Sequence, residues 1–219
     1  METERIDVKK SIYNRNDRIA DEVNRGMTET RTLLINVMGA PGVGKTSVIR
    51  RVVEGLELPA AVIEGDIESD IDTKALEALG ISTHQINTHG ACHLDAPTIQ
   101  AALGAFAVPQ DGVVFIENIG NLVCPAEFTI GEHAKMLIVT ATDGSDKPYK
   151  YPLAFEKADI IVLNKADLLP YVDFDESFFM AGVRVLNPDV PVMKVSARAG
   201  EGVDGIIQWI REKKKSLGA

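Results

Sequence analysis

The chain has 219 residues, 45% of them hydrophobic and 25% charged, with a formal net charge of −9. That composition excludes a long disordered or fibrous protein, and the negative balance argues against a general nucleic-acid binder, because phosphates would be repelled by the average surface. Two cysteines cannot build a disulfide scaffold, no apolar run approaches the ~20 residues that span a bilayer, and the polar start METERIDVKKSIYNRNDR lacks the apolar core of a signal peptide. The expectation is a soluble cytoplasmic protein with reduced thiols, no nucleic-acid partner and no membrane association.

Residues 1–30 read as a helical extension. Acids and bases are mixed there, and Ile6, Ile12, Ile19 and Val23 recur at spacings a helix could use, which predicts one or two amphipathic helices packed on the main body. Residues 31–219 read as the main domain. Short apolar strands are predicted at Leu33–Met38, Ala60–Glu64, Ser82–Ile86, Val113–Glu117, Met136–Ala141, Ile160–Asn164 and Val192–Val195. Several are almost continuously apolar, as strands covered on both faces are. Helical patterns intervene at Thr46–Glu54, Thr73–Leu79, Ala96–Phe106, Phe174–Leu186 and Val203–Lys214. The alternation predicts an α/β fold, a mostly parallel sheet of about seven strands with helices on both faces. The closing cluster Arg211, Lys213, Lys214 and Lys215 suits the negative end of a helix dipole and is read as structural.

Gly39-Ala40-Pro41-Gly42-Val43-Gly44-Lys45-Thr46 matches G-x-x-x-x-G-K-S/T between a predicted strand and a predicted helix, the context this motif requires. Its glycines let backbone N–H groups surround a polyphosphate, and the helix start adds partial positive charge; Ser47 continues that turn. Lys45 supplies a point charge for the β- and γ-phosphates, and Thr46 offers a hydroxyl to Mg²⁺. The expected architecture is therefore a three-layer P-loop NTPase.

Asn164-Lys165-Ala166-Asp167 closes the strand Ile160–Asn164. An ionised Asp167 is acceptor-only, so it suits guanine's edge of two donors and not adenine's. Asn164 and Lys165 would hold the loop and cover the base. Ser196-Ala197, after the last strand, resembles the second guanine-contacting loop of GTPases. GTP and GDP are the expected nucleotides.

GTPases need a strand-end carboxylate for Mg²⁺ or its water, and a glycine whose N–H meets the γ-phosphate. Asp66 follows the second strand, and Glu117 ends the fourth, three residues before Gly120. Asp66 and Glu117 are the Mg²⁺ candidates, the alternative being solvated strand-end carboxylates. Asp70 and Asp72 share the stretch of Asp66, and no residue stands out as the one orienting the attacking water.

Both cysteines occur in unusual surroundings. Cys92-His93 lies between a strand and a helix, and Cys124 precedes Pro125, which disfavours helical backbone at Cys124. Thiolate and imidazole together suit Zn²⁺ and Ni²⁺. Three ligands do not fill a tetrahedral site, so water or a second protomer would complete it. Cys124 lies four residues beyond Gly120, so metal geometry should follow nucleotide state. His84 and His133 are read as structural or surface residues.

Together, Glu64-Gly65-Asp66-Ile67, Gln85-Ile86-Asn87-Thr88, Cys92-His93-Leu94-Asp95-Ala96, the run Phe115 to Ala126 and the run Asp146 to Pro152 resemble the HypB family, from about Asn24 onward. That family comprises GTPases assisting nickel insertion during maturation of nickel–iron hydrogenases, within a dimerising class of P-loop GTPases. The resemblance implies Zn²⁺ or Ni²⁺ on Cys92, His93 and Cys124 near a subunit interface. It also implies a nucleotide-dependent homodimer and, as partners, another hydrogenase maturation protein and the hydrogenase large subunit. Two features depart from the family. The first thirty residues carry neither the cysteine motif nor the histidine tract some members have, so transient, nucleotide-controlled handling is expected instead of tight binding or storage there. His89 stands where glycine is usual. The rivals are a GTPase serving another nickel enzyme such as urease, and a regulatory GTP-binding module with a structural zinc.

Overall fold

The computed structural model describes residues 8–65, 76, 80–88 and 90–217, and side chains from residue 14 onward within that span. Seven strands form one sheet: β1 (Leu33–Met38), β2 (Ala60–Glu64), β3 (Ser82–Gln85), β4 (Val113–Glu117), β5 (Ala134–Thr140), β6 (Ile160–Asn164) and β7 (Val192–Lys194). Their order is β3-β2-β4-β1-β5-β6-β7, and every neighbouring pair is parallel. The helices are α1 (Val8–Glu29), α2 (Lys45–Leu56), α3 (Ala96–Ala105), α4 (Cys124–Glu127), α5 (Lys147–Lys150), α6 (Pro152–Glu156), α7 (Glu176–Leu186) and α8 (Val203–Ser216). No helix among the described residues is long and apolar enough to cross a membrane.

The apolar runs become central strands because both faces are covered. Leu33, Ile35 and Val37 of β1 pack with Val48, Ile49 and Val52 of α2 and Ile206, Ile207 and Ile210 of α8. Leu34, one residue out of phase, faces the other way with Ile63, Val114, Ile99 of α3, and Ile19 and Val23 of α1. Met38 joins Leu137, Val139 and Phe155, beneath Phe179 and Val183 of α7. This is the period-2 alternation of a strand with helices on both sides. Among the described residues, the amphipathic N-terminal pattern forms one helix sharing a core with the sheet. Ile6 and the side chain of Ile12 lie outside the described residues, as does Thr73–Leu79 except for Leu76, which is buried in the α2 core.

Several expectations are corrected: β3 and β7 end one residue early, at Gln85 and Lys194, and α7 starts at Glu176 instead of Phe174. The fifth strand begins at Ala134, not Met136, because β1 pairs Ile35 with Ala134; it ends at Thr140, where Ala141 opens a 3-10 turn. Cys124, expected on extended backbone, opens the one-turn helix α4. Proline is tolerated in a first helical turn, where its missing N–H would have no intrahelical acceptor. The terminal basic cluster behaves as structure: Arg211 pairs with Glu57 at 3.1 Å, Lys213 with Asp159 at 3.1 Å and Lys214 with Asp111 at 2.5 Å.

The parallel strands deliver their C-terminal ends to one edge. The loops after β1, β4 and β6 meet there, on either side of the central strand from which the chain order runs both ways, where open α/β sheets place ligands.

Candidate nucleotide pocket and thiol cluster

The loop after β1 turns into α2 through Gly44, whose φ of 90° lies in the left-handed region. A β-carbon there would also lie 2.7 Å from Asn164 Nδ2, so glycine is required twice over. Lys45 is buried, and its ammonium donates to the carbonyls of Gly39 and Ala40 at 3.4 and 3.5 Å. Thr46 Oγ1 donates to Glu117 Oε1 at 3.0 Å, so two of the proposed Mg²⁺ ligands already touch. Pro41, Gly42, Gly44, Lys45, Thr46, Ser47, Glu117 and Gly120 line a cavity of about 430 Å³. Asp66, Asp70 and Asp72 lie outside the described residues.

A second cavity, of about 400 Å³, shares Gly44 and Ser47 with the first and adds Asn164, Lys165, Asp167, Ala197 and Arg198. Its loops are stitched to the phosphate loop. Asn164 donates from Nδ2 to Val43 O (2.8 Å) and accepts at Oδ1 from Ala197 N–H (3.1 Å). Lys165 donates to Gly42 O at 2.8 Å. Ser196 is buried, and its hydroxyl accepts from Ala199 N–H at 3.2 Å. Asp167 is exposed at the cavity wall. The two cavities adjoin one another at Gly44 and Ser47, at the start of α2.

The segment after β4 borders the first cavity and runs on to α4. Gly120 is pressed against Pro41, where a β-carbon would come within 2.8 Å, and Asn121 forms an antiparallel bridge with Gly39. Asn121 Nδ2 donates to Cys92 O at 3.3 Å, and its Oδ1 accepts from Val123 N–H at 2.8 Å. Asn118, fully buried, accepts from Ile119 N–H (2.9 Å) and Leu94 N–H (3.3 Å) and donates to Asn36 Oδ1 (3.1 Å). One segment therefore touches the phosphate loop and both thiol-bearing stretches.

The ligand atoms of Cys92, His93 and Cys124 lie within 4.8 Å of one another. Around a tetrahedral ion such atoms sit about 3.5–3.8 Å apart, given the usual metal–sulfur and metal–nitrogen distances. Modest closure would seat one, so the donor set fits Zn²⁺ or Ni²⁺. Cys92 is exposed, its sulfur 3.3 Å from His93 Nδ1, and the imidazole stacks on Phe128 at 4.2 Å. The hydrogen bond with Cys92, then burial, pushes the Cys124 thiol above its ordinary range. Burial lowers the His93 pKa against the carboxylates of Asp95 and Glu127, keeping the ring in its neutral, ligating form.

The model of the CobW/HypB/UreG nucleotide-binding domain matches residues 33–194. The hydrogenase maturation factor HypB of Azotobacter vinelandii is 45% identical over 210 residues, covering 94% of this chain and 69% of that protein. The chain belongs to the HypB family. HypB from Helicobacter pylori, solved in complex with nickel, superposes with a TM-score of 0.88 at 30% identity, covering 92% of this chain and 96% of that one. HypB from Archaeoglobus fulgidus gives 0.86 at 33%, covering 92% and 99%.

The structure also draws in residues that sequence reasoning passed over. Asn36 was a visible signal, a polar residue inside the apolar run of β1. Asn118 and Asn121 carried the HypB resemblance without a role. Arg51 gave no signal; it holds the base-side loop by donating to Ala197 O at 2.9 Å. His133 accepts from Leu34 N–H at 3.0 Å, and His84 stacks on Phe106, so both act in packing. His89 lies outside the described residues.

Proposed function

We propose that this HypB-family protein is a GTP-hydrolysing metallochaperone assisting nickel insertion into nickel–iron hydrogenase, with metal handling governed by nucleotide state. The observation that carries the reading is the shared segment 117–124: it touches the phosphate loop through Gly120 and Asn121, touches Cys92 through Asn121, and ends on Cys124. The backbone N–H groups of Gly39 to Thr46, Pro41 excepted, with Ser47 in the first turn of α2, would hold the phosphates, and Lys45 would follow the migrating phosphoryl group. Thr46, Glu117 and Asp66 would hold Mg²⁺, which supplies charge neutralisation between the β- and γ-phosphates. Gly120 presents its N–H to the γ-phosphate. Asp167 reads guanine, flanked by Asn164, Lys165, Ser196 and Ala197.

Cys92, His93 and Cys124 hold Ni²⁺ or Zn²⁺. A three-ligand set with Cys92 exposed and His93 and Cys124 half-buried suits transfer better than permanent storage, since structural zinc sites are closed and four-coordinate. The missing ligand and the family's dimerising class support a homodimer tighter with GTP than with GDP. Its partners are another hydrogenase maturation protein and the hydrogenase large subunit, and its place is the cytoplasm. Metal affinity measured with GDP and with a GTP analogue tests the reading. It should shift with nucleotide for Ni²⁺ or Zn²⁺; equal affinities in both states would reduce the cluster to a structural site.

A further inference from the structure

Helix α1 lies outside the stretch matched by the nucleotide-binding domain model, yet one of its side chains reaches both halves of the thiol cluster. Asn16 is buried, with 5% of its surface exposed. Its Oδ1 accepts from Ala96 N–H at 2.9 Å, three residues after His93. Its Nδ2 donates to Thr129 O at 2.8 Å, five residues after Cys124. The donor on one side and the acceptor on the other fix the amide orientation, because the flipped amide would lose both bonds. Phe128, next to Thr129, stacks on His93, so the two bonds bracket the contact that brings the segments together. Asn16, His93 and Phe128 also share the wall of a cavity of about 470 Å³.

We propose that α1 clamps the metal site, with Asn16 as the positioning residue that sets the spacing between the Cys92–His93 and Cys124 segments. This rests on the metal site proposed above. Ala96 N–H belongs to the first turn of α3 and has no intrahelical acceptor; Thr129 O lies on irregular backbone after α4. Without the Asn16 amide, each segment loses its tie to a common anchor, and the spacing of the ligand atoms is left to the Asn121–Cys92 bond and the His93–Phe128 stack. Groups hydrogen-bonded directly to metal ligands change affinity about 10- to 100-fold when lost; Asn16 acts one step further out, through the backbones of Ala96 and Thr129, so the lower end of that range is expected.

Asn24 supplies the internal control. It lies on the same helix and donates to Gly131 O (3.2 Å) and Glu132 O (3.3 Å), further along the same segment and without reaching the Cys92–His93 side. It docks α1 but does not join the two halves.

The experiment titrates the full chain with Co²⁺ as a spectroscopic stand-in and with Zn²⁺, in the wild type, Asn16→Ala, Asn16→Asp and Asn24→Ala, with GDP affinity measured in each. Asn16→Ala should lower metal affinity about tenfold and alter the Co²⁺ ligand-field bands, with GDP affinity within about twofold of wild type. Asn16→Asp keeps the acceptor for Ala96 N–H but turns a carboxylate oxygen on the Thr129 carbonyl. It should show the same loss, and it carries the test should the alanine variant fail to fold. Asn24→Ala should bind metal like the wild type. Wild-type affinity and spectrum in the Asn16 variants, or an equal loss in Asn24→Ala, would overturn the clamp. A wild type that takes up neither ion would overturn the metal site itself, and the clamp with it.

Discussion

Around the phosphate loop, the candidate ligand-binding side chains are tied to the surrounding backbone and to each other: Lys165 to Gly42 O, Asn164 to Val43 O and Ala197 N–H, and Thr46 to Glu117. Around the thiols, the three ligands are exposed or half-buried and lie within 4.8 Å of one another, touching directly only at Cys92–His93 (3.3 Å) and Cys92–Cys124, and their segments are tied through neighbours such as Asn121 and Asn16. The first region is organised before any ligand arrives, so binding there costs little reorganisation. In the function proposed above the second changes its spacing, and because segment 117–124 belongs to both, a change ordered by the fixed region would be read out in the adjustable one. That is what a coupling free energy between two sites requires.

Removing Lys45 strikes the fixed region hardest. Lys45→Ala should reduce GTP turnover by about 10²-fold or more, since a charge following the transferred phosphoryl group disappears. Steady-state hydrolysis checks this; near-normal turnover would mean that the loop binds something other than the hydrolysed nucleotide. Cys124→Ser is the counterpart in the adjustable region. It should lower Zn²⁺ or Ni²⁺ affinity by more than the roughly 10- to 100-fold typical of losing an outer-shell partner, since a ligand itself is lost, and leave GDP affinity within about twofold, because no phosphate or base contact is lost. In the wild type the raised Cys124 pKa sets a sign: binding must displace the thiol proton, so metal affinity should climb as pH rises through the thiol range. Flat affinity there would remove the thiolate from the ligand set.

Asp167→Asn should change which base fits without disturbing the metal. The amide offers a donor as well as an acceptor, matching xanthine in place of guanine, and a hydrogen bond to a charged group is worth about 1.5–3 kcal/mol, or roughly 10- to 100-fold in preference. Competition among GTP, XTP and ATP reads it; an unchanged preference in a folded variant takes Asp167 out of the base slot. Asn118→Ala tests the joint between the regions. With Leu94, Ile119 and Asn36 released from one side chain, the ratio of metal affinities in the GDP and GTP-analogue states should fall towards one from its expected 5- to 150-fold. An undiminished ratio would move the coupling to Asn121.

Legibility in the sequence followed the same division. β1, β2, β4 and β6 have the predicted bounds because a strand buried on both faces leaves a continuous apolar run, and Gly39 to Thr46 is contiguous and fixed by the backbone geometry it requires. The thiol cluster assembles residues 92, 93 and 124, whose proximity is tertiary; the residue types suggested one three-ligand site, and the family resemblance added its place near a subunit interface. Pro125 misled, because its steric rule for the preceding residue gave way to its tolerance in a first helical turn. Asn16 was illegible: on a helix rich in charge, nothing local distinguishes an asparagine that will be buried between two distant backbones from one that will face water.

The smallest expected effect contrasts the two shifted histidines. Burial lowers the pKa of both His93 and His133, so both rings are neutral near pH 7. In His133 both nitrogens are engaged by the protein. Nδ1 accepts from Leu34 N–H at 3.0 Å, which puts the proton on Nε2, 3.0 Å from Thr28 Oγ1. Protonating Nδ1 would turn an acceptor into a donor facing a donor. Because the folded-state pKa lies below the ordinary value of about 6.5, the unfolded chain takes up the proton first. The contribution of His133 is therefore complete above that value and is lost as pH falls below it, down to the folded-state pKa. Urea unfolding at pH 7.5 and 5.5 should show a loss of stability on acidification that is smaller in His133→Asn, which has no group titrating in this range. An equal loss in both proteins would assign the acid sensitivity to other groups and leave His133 a packing residue only.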